Sequence, residues 1–356
     1  MNSHDLQVEE RSMNTRRGLS AMAAATIVLA GGAPVAAQDA ALPVAECDAP
    51  ADAIGVAVFR FDNEYLSLIR EAIGNAAAAK DAQVDIVDGQ NAQPTQNEQI
   101  DLFISKGLPA IAVNQVDREL ANVTLDKAKA ADIPVVFFNK EPLPEVLQAW
   151  DKAYYIGAKA EESGQMQGQL VLDYWNAHPE ADKNGDGVIQ YVMLSGPADH
   201  QDAQIRTEQS IKYINDAGTQ TEELQREIGD WNRPLAIEQM SAIYAQHGDA
   251  IEFVLANNDN MAIGAVEALK ANGFFGDTGK FMPVVGVDAT EPALESMRAG
   301  ELLGTVLNDA VNQGTATFNL ACVLAGGGTP TAENTGYPID GQYVWVPYVP
   351  VGPDDL

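Results

Sequence analysis

Oxygen-bearing side chains recur at alternate positions in one short stretch: Asp182, Asn184, Asp186 and Gln190, with Gly187 at the sixth place. Alternate residues of a tight loop point inward, and glycine permits the sharp turn. The seventh residue, Val188, lends a backbone carbonyl. Such a loop wraps a hard cation, and the spacing points to calcium. A helix–loop–helix calcium hand places a bidentate Glu at position twelve. Here that residue is Met193, and residues 188–194 read as a strand. A loop–strand site of this kind needs a carboxylate from elsewhere in the chain. The alternative is a solvated turn, since Asn-Gly-Asp-Gly is turn chemistry by itself.

A second constellation follows the apolar run Ile189–Leu194: His200, Asp202 and Arg206 fall within seven residues. They lie just past a strand end, so the elements that position them decide what they do. Apolar runs of strand length recur at 54–61, 84–89, 109–114, 133–139 and 154–157, with helical periodicity between them. Around Ser163 the pattern restarts. A helix over 161–177 leads to strands over 189–194, 251–259, 283–288 and 304–309, with 221–231 between two helices. A last helix is expected over 310–325, followed by one strand over 342–349. Strands that are apolar on both faces and alternate with helices predict parallel sheets covered on both sides. The fold class is therefore α/β, with two similar parallel-sheet lobes.

Ligands of such sheets sit beyond the carboxyl ends of the strands. The first lobe offers Asp62, Asn63, Tyr65 and Asn139 there. The second offers His200, Asp202, Arg206, Trp231, Asn258, Asp288 and Asn308. If the halves face each other, these residues other than Asp62 line a cleft. Asp, Asn and Arg each engage two neighbouring hydroxyls, Arg through its planar fork. Tyr65 and Trp231 are suited to an apolar ring face. A rim of hydroxyls with two C–H faces describes a pyranose. Singly, each residue has a plainer role: Asn139 and Asn258 suit caps or turns, Trp231 suits a core, and His200 suits a surface.

The chain has 356 residues, enough for two medium domains. Its formal charge of −30 excludes a nucleic-acid binder, which needs a basic surface. It also speaks against the effector core of a DNA-binding repressor. An acidic surface favours a soluble monomer. Arg16–Arg17 followed by a small, apolar run and Ala36-Ala37 reads as an export signal over 1–37, with Met13 an alternative start to Met1. Residues 38–52 read as a tail. The two cysteines, Cys47 and Cys322, are able to pair in an oxidising compartment. A glycosidase would need Asp202 and Asp288 as acid and nucleophile, but the set is rich in binding groups and no isolated acid stands out.

The segments QNEQIDLFISKG (96–107), IPVVFFNKEP (133–142), DKAYYIG (151–157), DKNGDGVIQ (182–190), ANNDNMAIGAVEALKA (256–271), VVGVDATEPAL (284–294) and GTVLND (304–309) resemble the periplasmic D-galactose/D-glucose-binding proteins of bacterial ABC transport, which are type I periplasmic binding proteins. The resemblance runs in order along nearly all of the chain beyond its export signal. It implies no enzyme activity. It implies capture of D-glucose or D-galactose in the periplasm and delivery to an ABC transporter permease, with another monosaccharide such as a pentose as the alternative. It implies two lobes joined by three crossings: 53–158 with 309–343, and 159–308 with 344–356. The implied sugar contacts are Asn139, His200, Asp202, Arg206, Trp231, Asn258, Asp288 and Asn308. The implied calcium ligands are Asp182, Asn184, Asp186, Val188, Gln190 and Glu252, the last filling the place left by Met193.

Two departures bear on specificity. Asn63 stands where the family has Asp, and Tyr65 where it has Phe. Asn can donate as well as accept, but it carries no charge. A methyl-accepting chemoreceptor is a further partner that the resemblance raises. Asn122, standing where the family's receptor-contacting glycine falls, weighs against it.

Overall fold

The computed structural model describes residues 42–44 and 53–356. The first lobe alternates strand and helix: β1 (Ile54–Val58), α1 (Glu64–Ala79), β2 (Val84–Asp88), α2 (Gln93–Ser105), β3 (Ile111–Val113), α3 (Ala121–Ala130), β4 (Val135–Phe138), α4 (Pro144–Gln148) and β5 (Ala153–Gly157). In β1 every residue is buried. Val56 and Val58 pack with Ile69 and Phe318 on one face, while Ala57 packs with Phe103 and Val113 on the other. A strand covered on both faces has no polar side, so its sequence reads as a continuous apolar run.

The second lobe comprises α5 (Ala160–Ala177), β6 (Val188–Ser195), α6 (Gln201–Asp216), β7 (Gln220–Ile228), α7 (Arg233–His247), β8 (Phe253–Ala256), α8 (Asp259–Ala271), β9 (Val284–Val285), α9 (Glu291–Arg298) and β10 (Thr305–Leu307). Its sheet runs β7-β6-β8-β9 with every pairing parallel. Isolated bridges at Val285–Gly304 and Asp288–Leu307 carry the pairing on towards β10. The chain then returns to the first lobe as α10 (Ala310–Ala325), α11 (Ala332–Thr335), β11 (Ile339–Asp340) and β12 (Tyr343–Trp345), and ends with β13 (Val349–Val351). The first sheet is thereby completed in the order β11-β12-β5-β4-β3-β1-β2. Residues 42–44 lie along α10: the Leu42 amide donates to Asn312 Oδ1, and Asn319 Nδ2 donates to the Pro43 carbonyl.

The single strand expected over 342–349 is two strands. Val344 pairs with Ile156 and Trp345 with Gly157 in the first sheet, whereas Val349–Val351 runs antiparallel to β10. Val344 and Trp345, expected on the second lobe's side, thus belong to the first. The break falls at Pro347, which has no amide proton for a ladder. The chain crosses between lobes three times, after β5, before α10 and before β13. Tyr348, in the last crossing, is buried against Val287 and Val306. The expectation of apolar strands also fails at one edge: β7 carries Glu222, Glu223 and Glu227 and is largely solvated; charged side chains on an edge strand keep its open flank from pairing with another chain.

The expected export signal lies outside the described residues, as does Cys47; Cys322 is buried in the first lobe's core. Among the described residues no helix is long and apolar enough to cross a membrane.

Candidate functional site

All ten side chains expected to face a ligand line one cavity between the lobes: Asn63, Tyr65 and Asn139 from the first, and His200, Asp202, Arg206, Trp231, Asn258, Asp288 and Asn308 from the second. Phe59 and Leu66 complete the wall. The cavity encloses about 400 Å³ of free space counted out to solvent. Asp62, also flagged at a strand end, is not in it; it is exposed and paired with Arg60 at 2.6 Å.

Helix starts place much of the set. Asn63 caps α1, its Oδ1 accepting from the Leu66 amide at 3.0 Å. Asn258 caps α8 through Oδ1 and the Met261 amide at 3.1 Å. His200 stands at the start of α6, with Asp202 in its first turn. The plainer role for Asn258, a cap, and its place in the cavity hold together. Three wall residues adopt left-handed backbone: Asn139 (φ 62), Trp231 (φ 60) and Asp288 (φ 124). Such geometry costs energy outside glycine and gathers where function requires it.

Arg206 is held on several sides. It donates from Nε to Ser163 Oγ at 3.2 Å, from Nη1 to the Asn257 carbonyl at 2.9 Å, and from Nη2 to the Tyr348 hydroxyl at 2.9 Å. Gly168 lets α5 approach closely enough for this: a Cβ there would sit 2.5 Å from the Ser210 carbonyl oxygen on α6. Asp202 lies 3.7 Å from the guanidinium. Burial opposes the Arg206 charge, but Tyr348, Asp202 and Asp288 outweigh it and keep it protonated. Burial pushes Asp202 up, against the pull of Arg206 and Lys140. Asp288 is also pushed up by burial, again opposed by Arg206. Asn308 spans the floor, donating to Asp288 Oδ1 at 3.2 Å and accepting from Gln313 Nε2 at 2.6 Å.

His200 and Trp231 meet edge to face with centroids 5.2 Å apart. Burial, with Lys140, Arg206 and Arg118 nearby, pushes the imidazole well below its usual range, so it is neutral. Among the described residues its Nδ1 and the Tyr65 hydroxyl are buried without a protein partner. A buried polar atom in that state is costly until something bonds to it. Gly196 makes room for the indole, since a Cβ there would fall 2.2 Å from two Trp231 ring atoms. Two contacts span the lobes at the rim, Arg60 to Asp230 at 3.8 Å and Gln201 Nε2 to Glu141 Oε2 at 3.1 Å.

Several contributors were not found from sequence. Ser163, Asn257 and Tyr348 orient Arg206 from three different elements, and no local spacing links them. Phe59 was visible as the residue after β1 but read as part of the strand.

The loop before β6 folds around its own oxygens. Asp182 accepts from the amides of Gly185, Asp186 and Gly187, and Asp186 Oδ1 accepts from Val188 at 2.8 Å. Glu252, 1% exposed, reaches this loop from just before β8. It accepts from the Lys183 amide at 2.7 Å and the Gln190 amide at 3.0 Å. Gln190 Nε2 donates to Asp186 Oδ2, and Gln190 Oε1 is buried without a partner among the described residues. Among the described residues no three His, Cys, Asp or Glu side chains converge as a metal cluster. The donors here are instead mixed carboxylate, amide and backbone oxygens.

The family described as Periplasmic binding protein domain matches residues 54–329. The D-galactose/methyl-galactoside binding periplasmic protein MglB of Haemophilus influenzae is 42% identical over 305 residues, covering 85% of this chain and 90% of that one. A putative rhizopine-binding protein of Rhizobium meliloti is 32% identical over 281 residues, 78% of this chain and 86% of its own. Among solved structures, an ABC transporter solute binding protein from Bacillus halodurans with bound myo-inositol superposes with a TM-score of 0.71 at 28% identity, covering 86% of this chain and 96% of that one. The match over most of the chain, with a two-lobed α/β fold and one cavity between the lobes, places this chain in the periplasmic binding protein family.

Proposed function

We propose that the protein is a periplasmic receptor that captures a monosaccharide, D-glucose or D-galactose, between its lobes and passes it to an ABC transporter permease. The observation that carries this reading is the convergence of ten dispersed polar and aromatic side chains on one cavity. Amides and a guanidinium donate, buried carboxylates accept, and the half-buried Trp231 offers an apolar surface. A hydroxyl both donates and accepts, so a polyol ring uses every wall group. The 42% identical relative is named for D-galactose and methyl-galactoside, which favours a hexose over a pentose. No bond needs to break: Asp202 and Arg206 form a fixed pair, and Asp288 is tied to Asn308. Binding is expected to hold the lobes together by a hinge motion at the three crossings. Calorimetric titration with glucose, galactose, xylose and ribose tests the reading. Heat from neither hexose refutes it, and preferential heat from ribose or xylose moves the assignment to a pentose.

The same chain is proposed to hold a structural Ca²⁺ in the loop before β6. Asp182, Asn184, Asp186, Gln190 and Glu252, with the Val188 carbonyl, form an all-oxygen donor set, which suits a hard cation. The partnerless Gln190 Oε1 and the carboxylate of Glu252, brought 62 residues along the chain to the Gln190 amide, support it. Bound calcium would neutralise the clustered carboxylates and pin β6 to β8.

A further inference from the structure

We propose that Asn63 meets its ligand through its Nδ2 donor, so that the ligand oxygen it faces is recognised as an acceptor and not by its proton. The inference rests on the sugar-binding reading above and adds to it the polarity of one contact. A carboxamide has one acceptor oxygen, with two lone pairs, and one donor nitrogen. The oxygen of Asn63 is turned to the helix: Oδ1 takes the Leu66 amide proton at 3.0 Å to cap α1. A peptide N–H accepts nothing, so the cap itself fixes which end is oxygen. What remains for the cavity is the Nδ2 amide group.

Two further wall amides are polarised in the same way. Asn258 spends Oδ1 on the Met261 amide. Asn139 spends Oδ1 on Asn114 Nδ2 at 3.2 Å, and Asn114 is itself oriented by the Phe138 carbonyl and the Phe59 amide. Asp202 and Asp288 supply the acceptors on the opposite lobe. An aspartate at position 63 would keep one oxygen on the cap and present the other to the cavity as an acceptor. Asn and Asp are equally good caps, so position 63 sets the sense of the hydrogen bond without altering the fold.

The experiment is a titration of wild type and Asn63→Asp with the hexose that binds best and with its deoxyfluoro analogues at each hydroxyl. A C–F group accepts weakly and cannot donate. At one position wild type should tolerate fluorine within about threefold, while Asn63→Asp should lose at least about tenfold there, the scale of one hydrogen bond to a charged group. Asn63→Ser, which keeps a capping oxygen but withdraws the amide, should weaken the parent sugar without that position-specific loss. Coincident fluorine profiles for wild type and Asn63→Asp overturn the proposal while leaving the sugar reading standing. No heat from wild type with any unmodified hexose overturns the sugar reading itself. An unchanged melting temperature of Asn63→Asp confirms that the cap is kept.

Discussion

The Arg206 guanidinium donates to the Tyr348 hydroxyl at 2.9 Å, joining a cavity wall residue to the last crossing between the lobes. Tyr348 is buried in one apolar cluster with Val287 and Val306, while its hydroxyl accepts from Arg206. The position of the arginine and the path of the hinge are therefore set together. Tyr348→Phe keeps the packing and removes the acceptor. The expected result is a fall in sugar affinity of about tenfold, since a hydrogen bond to a charged group contributes about 1.5–3 kcal/mol. Calorimetry checks it, and an unchanged Kd would mean that Ser163 and Asn257 suffice to hold the guanidinium.

Trp231 and Gly196 are in close contact by necessity. Gly196→Ala places a methyl group 2.2 Å from the indole, so the ring must move from its edge-to-face contact with His200. Tryptophan emission should shift on mutation, and the fluorescence change on adding sugar to wild type should be lost. Affinity should drop by about tenfold or more, in line with the effect of small displacements of positioning groups. A variant with wild-type emission and affinity would remove Trp231 from the binding surface.

Asp288 sets a pH dependence whose sign follows from its burial. Its folded pKa is raised above the unfolded value of about 3.9. The neutral form is favoured in the fold, so the stability it contributes is fully present below that value. It is lost as pH rises through the folded pKa. Asp288→Asn has no such charge to bury. The variant's melting temperature, taken relative to wild type at each pH, should therefore rise between about pH 4 and pH 8. Sugar binding should be severely weakened at the same time. A flat difference across that range would show that the Asp288 charge is not costly in the folded state.

Calcium removal should destabilise the second lobe. A ligand present at about 100 times its Kd stabilises the fold by about 2.7 kcal/mol. EDTA should lower the melting temperature of wild type, and added Ca²⁺ should restore it. Glu252→Gln keeps acceptor capacity for one backbone amide but removes the charge, and it should blunt the response to EDTA. An identical melt with and without EDTA would reduce the loop to a turn.

Much of this architecture was legible because fully covered strands leave no polar alternation: β1, β4 and β6 were visible as apolar runs. The strand break at Pro347 was less legible, because apolar residues continue on both sides of it. The cavity wall was legible from one rule, that residues after parallel strands line the cleft beyond the sheet, and Asn139, His200 and Asp288 all line the cavity. The supports of Arg206 were not. Ser163, Asn257 and Tyr348 are far apart in the chain, and only the close approach of α5 to α6 and the last crossing unite them. The commitment of the Asn63 oxygen to a cap was likewise invisible, since the residue type permits either end to face the ligand.

The return of the chain after β10 has a bearing on how the molecule is made. Helix α10 covers α1, β12 extends the first sheet, and β13 pairs with β10. A ribosome that stopped at residue 309 would release a polypeptide in which neither lobe is finished. Completion of both lobes thus requires the chain beyond residue 309. Loss of the C-terminal segment would be expected to abolish the fold outright rather than yield a surviving half.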